Sequence, residues 1–286
     1  MPDQPLAPAL YLVGTPIGNL EDITLRAIRV LRSTTLIACE DTRQTQKLLN
    51  HFDIHTKTIS YHEHNEVERA PELIARIQAG DSIALVTDAG MPAVSDPGHK
   101  LVTLAIDNNL AVIPIPGASA FLSALVASGL GADNFQFHAF LPAKSGQRRK
   151  LLEELKTSDR VHVFYEAPHR IIETLKDITE ILGPSRHVVV ARELTKIHEE
   201  FLRGSAEHVL KIAEQRGELK GEITLLIGEA EESEKPALKK ETIAQMMTRM
   251  MRDNSLEEKD ALKRVARELG ISKSEVYREF QRTKNG

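Results

Sequence analysis

The stretch Ile83-Ala84-Leu85-Val86-Thr87-Asp88-Ala89-Gly90-Met91-Pro92-Ala93-Val94-Ser95-Asp96-Pro97-Gly98 decides how the chain reads. Its first four residues are a continuous apolar run, the pattern of a strand buried on both faces. The twelve residues from Thr87 to Gly98 have no helical period and hold two Gly and two Pro. A connection of that length between a strand and a helix is uncommon and points to a binding loop. Proline fixes the path of such a loop, and glycine lets a ligand approach its backbone. Ligands of open α/β sheets lie beyond the carboxyl ends of the strands, where this loop falls.

The same punctuation recurs on either side. Residues 9–13, 36–39 and 111–115 are apolar runs, each followed by a turn: Gly14-Thr15-Pro16-Ile17-Gly18-Asn19, Glu40-Asp41-Thr42-Arg43 and Pro116-Gly117-Ala118-Ser119-Ala120. Between them lie amphipathic segments, one starting at Asp22 as the expected N-cap, one over 45–50, and one over 66–79 closed by Gly80. A second series follows, with strands at 161–165, 187–191 and 223–227 and helices at 146–156, 169–182 and 206–215. Strands alternating with helices predict an α/β fold of mostly parallel sheets covered by helices. Two series predict two α/β domains, residues 1–116 and 117–229.

The chain has 286 residues, 41% hydrophobic and 27% charged, which excludes disordered and fibrous classes. No apolar run approaches the ~20 residues of a membrane helix, and residues 1–8 lack the pattern of a signal peptide. With Cys39 as the one cysteine there is no internal disulfide, and the expected location is cytoplasmic. Residues 236–286 carry 12 Lys plus Arg against 8 Asp plus Glu, a net of +4, which leaves −8 on residues 1–235. The acidic segment 229–236 between them reads as a solvated linker. The tail is helical in pattern over 241–251, 256–269 and 272–282. Ala266, Gly270 and Val276 stand where a helix-turn-helix needs a small residue, a turn and an anchor, and Ser272 with Glu275 forms a capping box. Lys273, Arg278 and Arg282 would be available to phosphates, although such units also bind protein.

Neither the dinucleotide fingerprint Gly-x-Gly-x-x-Gly nor a P-loop occurs. His62-Glu63-His64 lacks a further ligand at useful spacing, so no metal is expected.

Nine motifs occur in order: Gly14–Asn19, Glu40–Arg43, His62–Glu66, Asp88–Pro92, Pro116–Ala120, Leu141-Pro142-Ala143-Lys144, Tyr165–Arg170, Ala191–Lys196 and Lys220-Gly221-Glu222. This series resembles the ribosomal RNA small subunit methyltransferase I family, within the tetrapyrrole-methylase superfamily, over residues 10–228. The resemblance implies two α/β domains with S-adenosylmethionine in the cleft between them, a homodimer, and methyl transfer to a cytidine 2′-hydroxyl in the decoding region of 16S ribosomal RNA of the small ribosomal subunit. It implies a cofactor site of Pro16, Asp88, Gly90, Met91, Val94, Ser119, Ala120 and Ala167. Met91 stands where the family commonly has Thr, so a side-chain hydrogen bond there is lost while a backbone contact survives.

Methyl transfer from a sulfonium is an in-line displacement, and the protein must help the acceptor hydroxyl shed its proton. Glu40, Asp41, Lys144, Glu166 and the Arg192-Glu193 pair stand at strand ends or loops; Lys144, Glu166 and Glu193 are the catalytic candidates. RNA needs cations: Lys144, Arg148, Arg149 and Lys150 fall within seven residues, and Arg43, Arg170, Arg192 and Lys196 lie on the neighbouring loops. Two other readings stay open. One is a methyltransferase of a small acceptor, and the other is a ribosome-assembly factor without catalysis.

Overall fold

The computed structural model describes residues 6–230, 243–253 and 256–284, so residues 231–236 of the expected linker at 229–236 lie outside the described residues. Residues 1–229 form one compact unit and residues 230–286 another.

The first half of the larger unit holds β1 (Ala9–Val13), α1 (Leu25–Ser33), β2 (Leu36–Cys39), α2 (Thr42–His51), β3 (Thr58–Ser60), α3 (Glu66–Gln78), β4 (Ser82–Val86), α4 (His99–Asp107) and β5 (Val112–Ile115). Its sheet runs β3-β2-β4-β1-β5, parallel throughout. The continuous apolar runs follow from burial on both faces. In β1, Tyr11 and Val13 pack with Val30 and Leu49 from α1 and α2, while Leu10 packs with Leu73 and Leu101 from α3 and α4. The N-cap of α1 is Thr24, whose hydroxyl accepts from the Ala27 amide at 3.0 Å; the expected cap Asp22 instead ends a short 3-10 turn, Leu20–Asp22.

The second half follows with α5 (Ala120–Ser128), β6 (Phe135–Phe140), α6 (Ser145–Leu155), β7 (Val161–Glu166), α7 (Ile171–Leu182), β8 (His187–Arg192), β9 (Glu200–Ser205), α8 (Ala206–Arg216) and β10 (Ile223–Ile227). Its order is β6-β7-β10-β8-β9, and here the expectation of mostly parallel strands needs correction. Only β6 and β7 pair in parallel, while β10 is antiparallel to both β7 and β8, and β9 to β8. The unit β7-α7-β8 is the parallel crossover that the alternation implies, but β10 is inserted between its two strands. The link from β8 to β9 is too short for a helical crossover and returns the chain antiparallel. An apolar run reports burial on both faces, not direction.

Strand β6 forms an edge, and it carries a bulge. Phe137 pairs with Val163 and Phe140 with Tyr165, so three steps on β6 answer two on β7. Ala139, inside the irregularity, takes a left-handed φ of 59°. Side chains two apart share a face, so the extra residue turns Phe140 to the face of Phe137 rather than that of His138.

The smaller unit contains α9 (Ile243–Asp253), α10 (Glu258–Leu269) and α11 (Lys273–Lys284). Ala266 and Val276 are buried with Met247 and Phe280, and Gly270 makes the turn at a φ of 66°. The Ser272 hydroxyl accepts from the Glu275 amide at 3.3 Å, and the Glu275 carboxylate accepts from the Ser272 amide at 2.9 Å.

A further constraint ties two turns of the first sheet together. A Cβ at Gly14 would lie 2.7 Å from the Gly117 Cα, so the turns after β1 and β5 touch backbone to backbone. Gly14→Ala should therefore destabilise the larger unit by about 1–3 kcal/mol, the cost of overpacking a site that cannot yield. Denaturant unfolding of the two proteins measures this, and an unchanged midpoint would contradict the contact.

Candidate active site

The carboxyl ends of three neighbouring strands, β4, β1 and β5, meet at one place. Thr15 and Gly90 exchange both backbone hydrogen bonds, at 2.9 and 3.1 Å, and the Thr15 hydroxyl donates to the Thr87 carbonyl at 3.1 Å. Beyond Gly90 the loop holds Ala93 and Ser95 at φ of 66° and 65°, and Gly98 at 145° with Ala93 and Leu85 against it. Left-handed non-glycine residues are costly, on the order of 1–3 kcal/mol each, and persist where the surroundings over-determine them. Two of them within four residues mark this loop as a built wall.

The wall bounds a cavity of about 410 Å³ between the two sheets. The loop after β4 contributes Gly90, Met91, Val94 and Asp96, the turn into α5 Ser119 and Ala120, and the second sheet with its loops Phe140, Tyr165, Ala167, Leu194, Gly221 and Thr224. The lining is mostly apolar with a few convergent polar groups, the usual form of a small-molecule site, and the volume lies in the range of about 300–1,000 Å³ for such sites. Six of the eight residues expected to hold a cofactor line it: Gly90, Met91, Val94, Ser119, Ala120 and Ala167. Pro16 is buried and is not among the lining residues, whereas its neighbour Ile17 is. Asp88 turns aside, its carboxylate accepting from the Asp41 amide at 3.3 Å.

Sequence reasoning passed over Asp96. Burial, with the carboxylates of Glu40 and Asp88 nearby, pushes its pKa up to about 6. The Thr87 hydroxyl beside it donates to Glu40 at 2.9 Å, and Asp88 is also raised, first by burial. Asp41 goes the other way, to about 2, because Arg43 donates to it from side chain and backbone. The signal for Asp96 was its place in the Gly/Pro-rich loop, but only the folded loop turns it to the cavity.

Several expected roles need correction. Glu166 borders the cavity, yet its carboxylate is enclosed: it accepts from the Ala167 amide and Arg170 through one oxygen and from Thr174 at 2.7 Å through the other, and its side chain is 0% exposed, an arrangement that suits an anchor rather than a base. Glu193 is bound by Lys196 at 2.8 Å and by the Glu222 amide, which hold its carboxyl below the usual range. Arg148 is 2% exposed and donates to Asp177 at 2.7 Å. Arg149 pairs with Asp177 and Glu180, and Arg170 with Glu166. These three guanidiniums are structural: Arg148 and Arg149 join α6 to the acidic face of α7, and Arg170 ties the start of α7 to the end of β7. Lys144 and Lys150 remain exposed, and Arg43, paired with Asp41, keeps its side chain 87% exposed. The Asn65 amide lies 3.3 Å from His62, and among the described residues no cluster of three groups could hold a metal ion.

This arrangement defines a class. The family model of the Tetrapyrrole (Corrin/Porphyrin) Methylases matches residues 9–210. Solved structures share the fold at low identity. Diphthine synthase aligns with a TM-score of 0.60 at 16% identity over 77% of this chain and 89% of that one. A uroporphyrin-III C-methyltransferase from Thermus thermophilus, complexed with S-adenyl homocysteine, aligns with a TM-score of 0.54 at 19% identity over 77% and 97%. Relatives named ribosomal RNA small subunit methyltransferase I are far nearer in sequence. That of Halalkalibacterium halodurans is 50% identical over 94% of this chain and 93% of its own, and that of Synechocystis 45% over 94% and 95%. The chain belongs to the ribosomal RNA small subunit methyltransferase I family.

Arg148→Ala should lower the unfolding free energy by about 3 kcal/mol, because it leaves Asp177 with one partner in a buried setting. Thermal and denaturant unfolding check this; a variant as stable as the parent would return Arg148 to the RNA-contact reading.

Proposed function

We propose that the cavity binds S-adenosylmethionine and that the protein methylates the 2′-hydroxyl of a cytidine in the decoding region of 16S ribosomal RNA. The observation that carries this reading is the cavity itself, built from the carboxyl-end turns of β1, β4 and β5 and closed by the second half. The residues present fit a cationic ligand with an apolar body: Met91, Val94 and Leu194 offer apolar walls, the turn at Gly90 admits close approach, and Asp96 faces the cavity with Glu40 and Asp88 behind it. Met91 retains apolar contact where the family commonly has Thr.

When bound, the cofactor supplies a methyl carbon already electrophilic on its sulfonium sulfur. Gly90 and Ala120 would leave room for it, and Tyr165 and Phe140 would border the opening offered to the acceptor. Asp96, on the cavity wall, would take the proton that the acceptor hydroxyl gives up in the transfer. A carboxylate raised to about 6 is a stronger base than an ordinary one yet still ionised at neutral pH. Lys144 and Arg43, both exposed, are proposed to meet RNA phosphates. The reading includes a division into domains 1–116, 117–229 and 236–286, a cytoplasmic location and a homodimer. No described helix is long and apolar enough to cross a membrane. Helix α5 supports the dimer, being apolar but for Ser123 and Ser128, with Leu122 44% and Val126 76% exposed; light scattering of the pure protein tests it.

Labelled S-adenosylmethionine incubated with small ribosomal subunits lacking the modification should place label on a ribose 2′-oxygen of a decoding-region cytidine. Label elsewhere, or none, would overturn the reading. Asp96→Asn should lower kcat by about 10²- to 10⁴-fold, the range for a lost general base. The parent's activity should rise as pH passes through about 6. The stability effect has the opposite sign. The folded pKa of about 6 exceeds the unfolded value of 3.8, so the folded protein is the one holding the proton between them and stability falls as pH rises across that window. Asp96→Asn should remove that fall and unfold later than the parent at pH 7, as differential scanning would read.

A further inference from the structure

Phe140 is a large apolar side chain on the cavity wall, yet it is 59% exposed. An aromatic ring left in water at a site mouth needs a reason, because burying it would be favourable. Its position is also enforced. With regular alternation Phe140 would share a face with His138, which stacks on Phe164. The bulge and the left-handed Ala139 turn it instead toward Tyr165, 5.6 Å away between ring centroids. Bulges recur beside active sites, where they re-aim a side chain.

Phe140 also ends a row of rings. Phe121 stacks on Phe137 at 4.4 Å, Phe137 meets Tyr165 edge-on at 5.1 Å, and Tyr165 meets Phe140. The first three are half-buried, and Phe140 is the member open to solvent. Four residues on stands Lys144, an exposed cation with no ion pair among the described residues. A ring and a cation leaving one short turn match the base and the phosphate of one nucleotide. Single-stranded RNA is held in this manner, by stacking splayed bases on aromatic side chains and pairing the backbone with cations.

We propose that Phe140 is the stacking platform for the acceptor nucleotide, holding its unstacked base at the cavity mouth so that the ribose enters toward Asp96. The inference rests on the rRNA 2′-O-methyltransferase reading above and deepens it.

The chain contains no Trp, so Phe140→Trp makes a single-tryptophan reporter at the site. Its fluorescence should be quenched by unmodified small ribosomal subunits and unchanged by S-adenosylhomocysteine alone. Phe140→Ala should lower kcat/KM for subunits by about 10- to 100-fold, mainly through KM, with Phe140→Trp within about threefold of the parent. Calorimetric affinity of Phe140→Ala for S-adenosylhomocysteine should match that of the parent, which also shows that the variant is folded. Quenching by S-adenosylhomocysteine alone would assign the ring to the cofactor and overturn the proposal. Absent quenching by subunits, or a Phe140→Ala variant as efficient as the parent, would overturn it as well. A parent that transfers no methyl to subunits would instead bring down the functional reading beneath it.

Discussion

The contact of Gly14 with Gly117 is the constraint on which the site depends. It brings the turns after β1 and β5 so close that neither tolerates a Cβ, and the Thr15–Gly90 bridge draws in the turn after β4. With three carboxyl ends gathered at one point, the loop beyond Gly90 cannot continue straight into α4. It doubles over Ala93 and Ser95 in left-handed conformations and becomes a wall. The chain beyond Gly117 is turned, through α5, toward the second sheet, which closes the other side. The cavity is the space these two diversions leave.

Charge follows a different logic. In the second half, guanidiniums are used for assembly: Arg148 and Arg149 bind α6 to α7 through Asp177 and Glu180, and Arg170 covers Glu166. The buried pairs, Arg148 with Asp177 and Arg170 with Glu166, offset their desolvation through short charge-assisted hydrogen bonds, while Arg149 and Glu180 meet at the surface. In the first half, by contrast, Glu40, Asp88 and Asp96 crowd beside the cavity without an equal number of cations, and burial raises Asp88 and Asp96. That imbalance is unfavourable for the empty fold and complementary to a cationic ligand. Stability and chemistry thus draw on opposite arrangements of the same residue types.

Backbone irregularity concentrates at the same place. Ala93, Ser95 and Ala139 are non-glycine residues with left-handed φ, and each stands next to or one residue from a residue on the cavity wall: Val94, Asp96 and Phe140. In regular structure these side chains would point elsewhere. The two groups proposed to handle the acceptor, its proton at Asp96 and its base at Phe140, both owe their direction to such a departure.

The sequence by itself determined the buried strands β1, β2 and β4 of the first sheet, because burial on both faces demands continuous apolar runs, and it marked the loop after β4, because Gly and Pro have distinctive backbone requirements. It also specified the last turn of the tail, where Gly270, Ser272 and Glu275 act within a few residues of one another. It carried no signal for β3, β6 or β9, whose short or mixed and half-exposed residues lack a clean period, nor for the antiparallel insertion of β10, which depends on pairing rather than on pattern. Only the tertiary structure decided which charges are free. Lys144 and Arg148 look alike in a basic run, and it is the facing helix, brought up by packing, that neutralises one and leaves the other in water. The same holds for Asp96: its neighbours in the fold, Glu40 and Thr87, come from other strand ends or earlier in the loop, and no local rule predicts a pKa set by residues so distant along the chain.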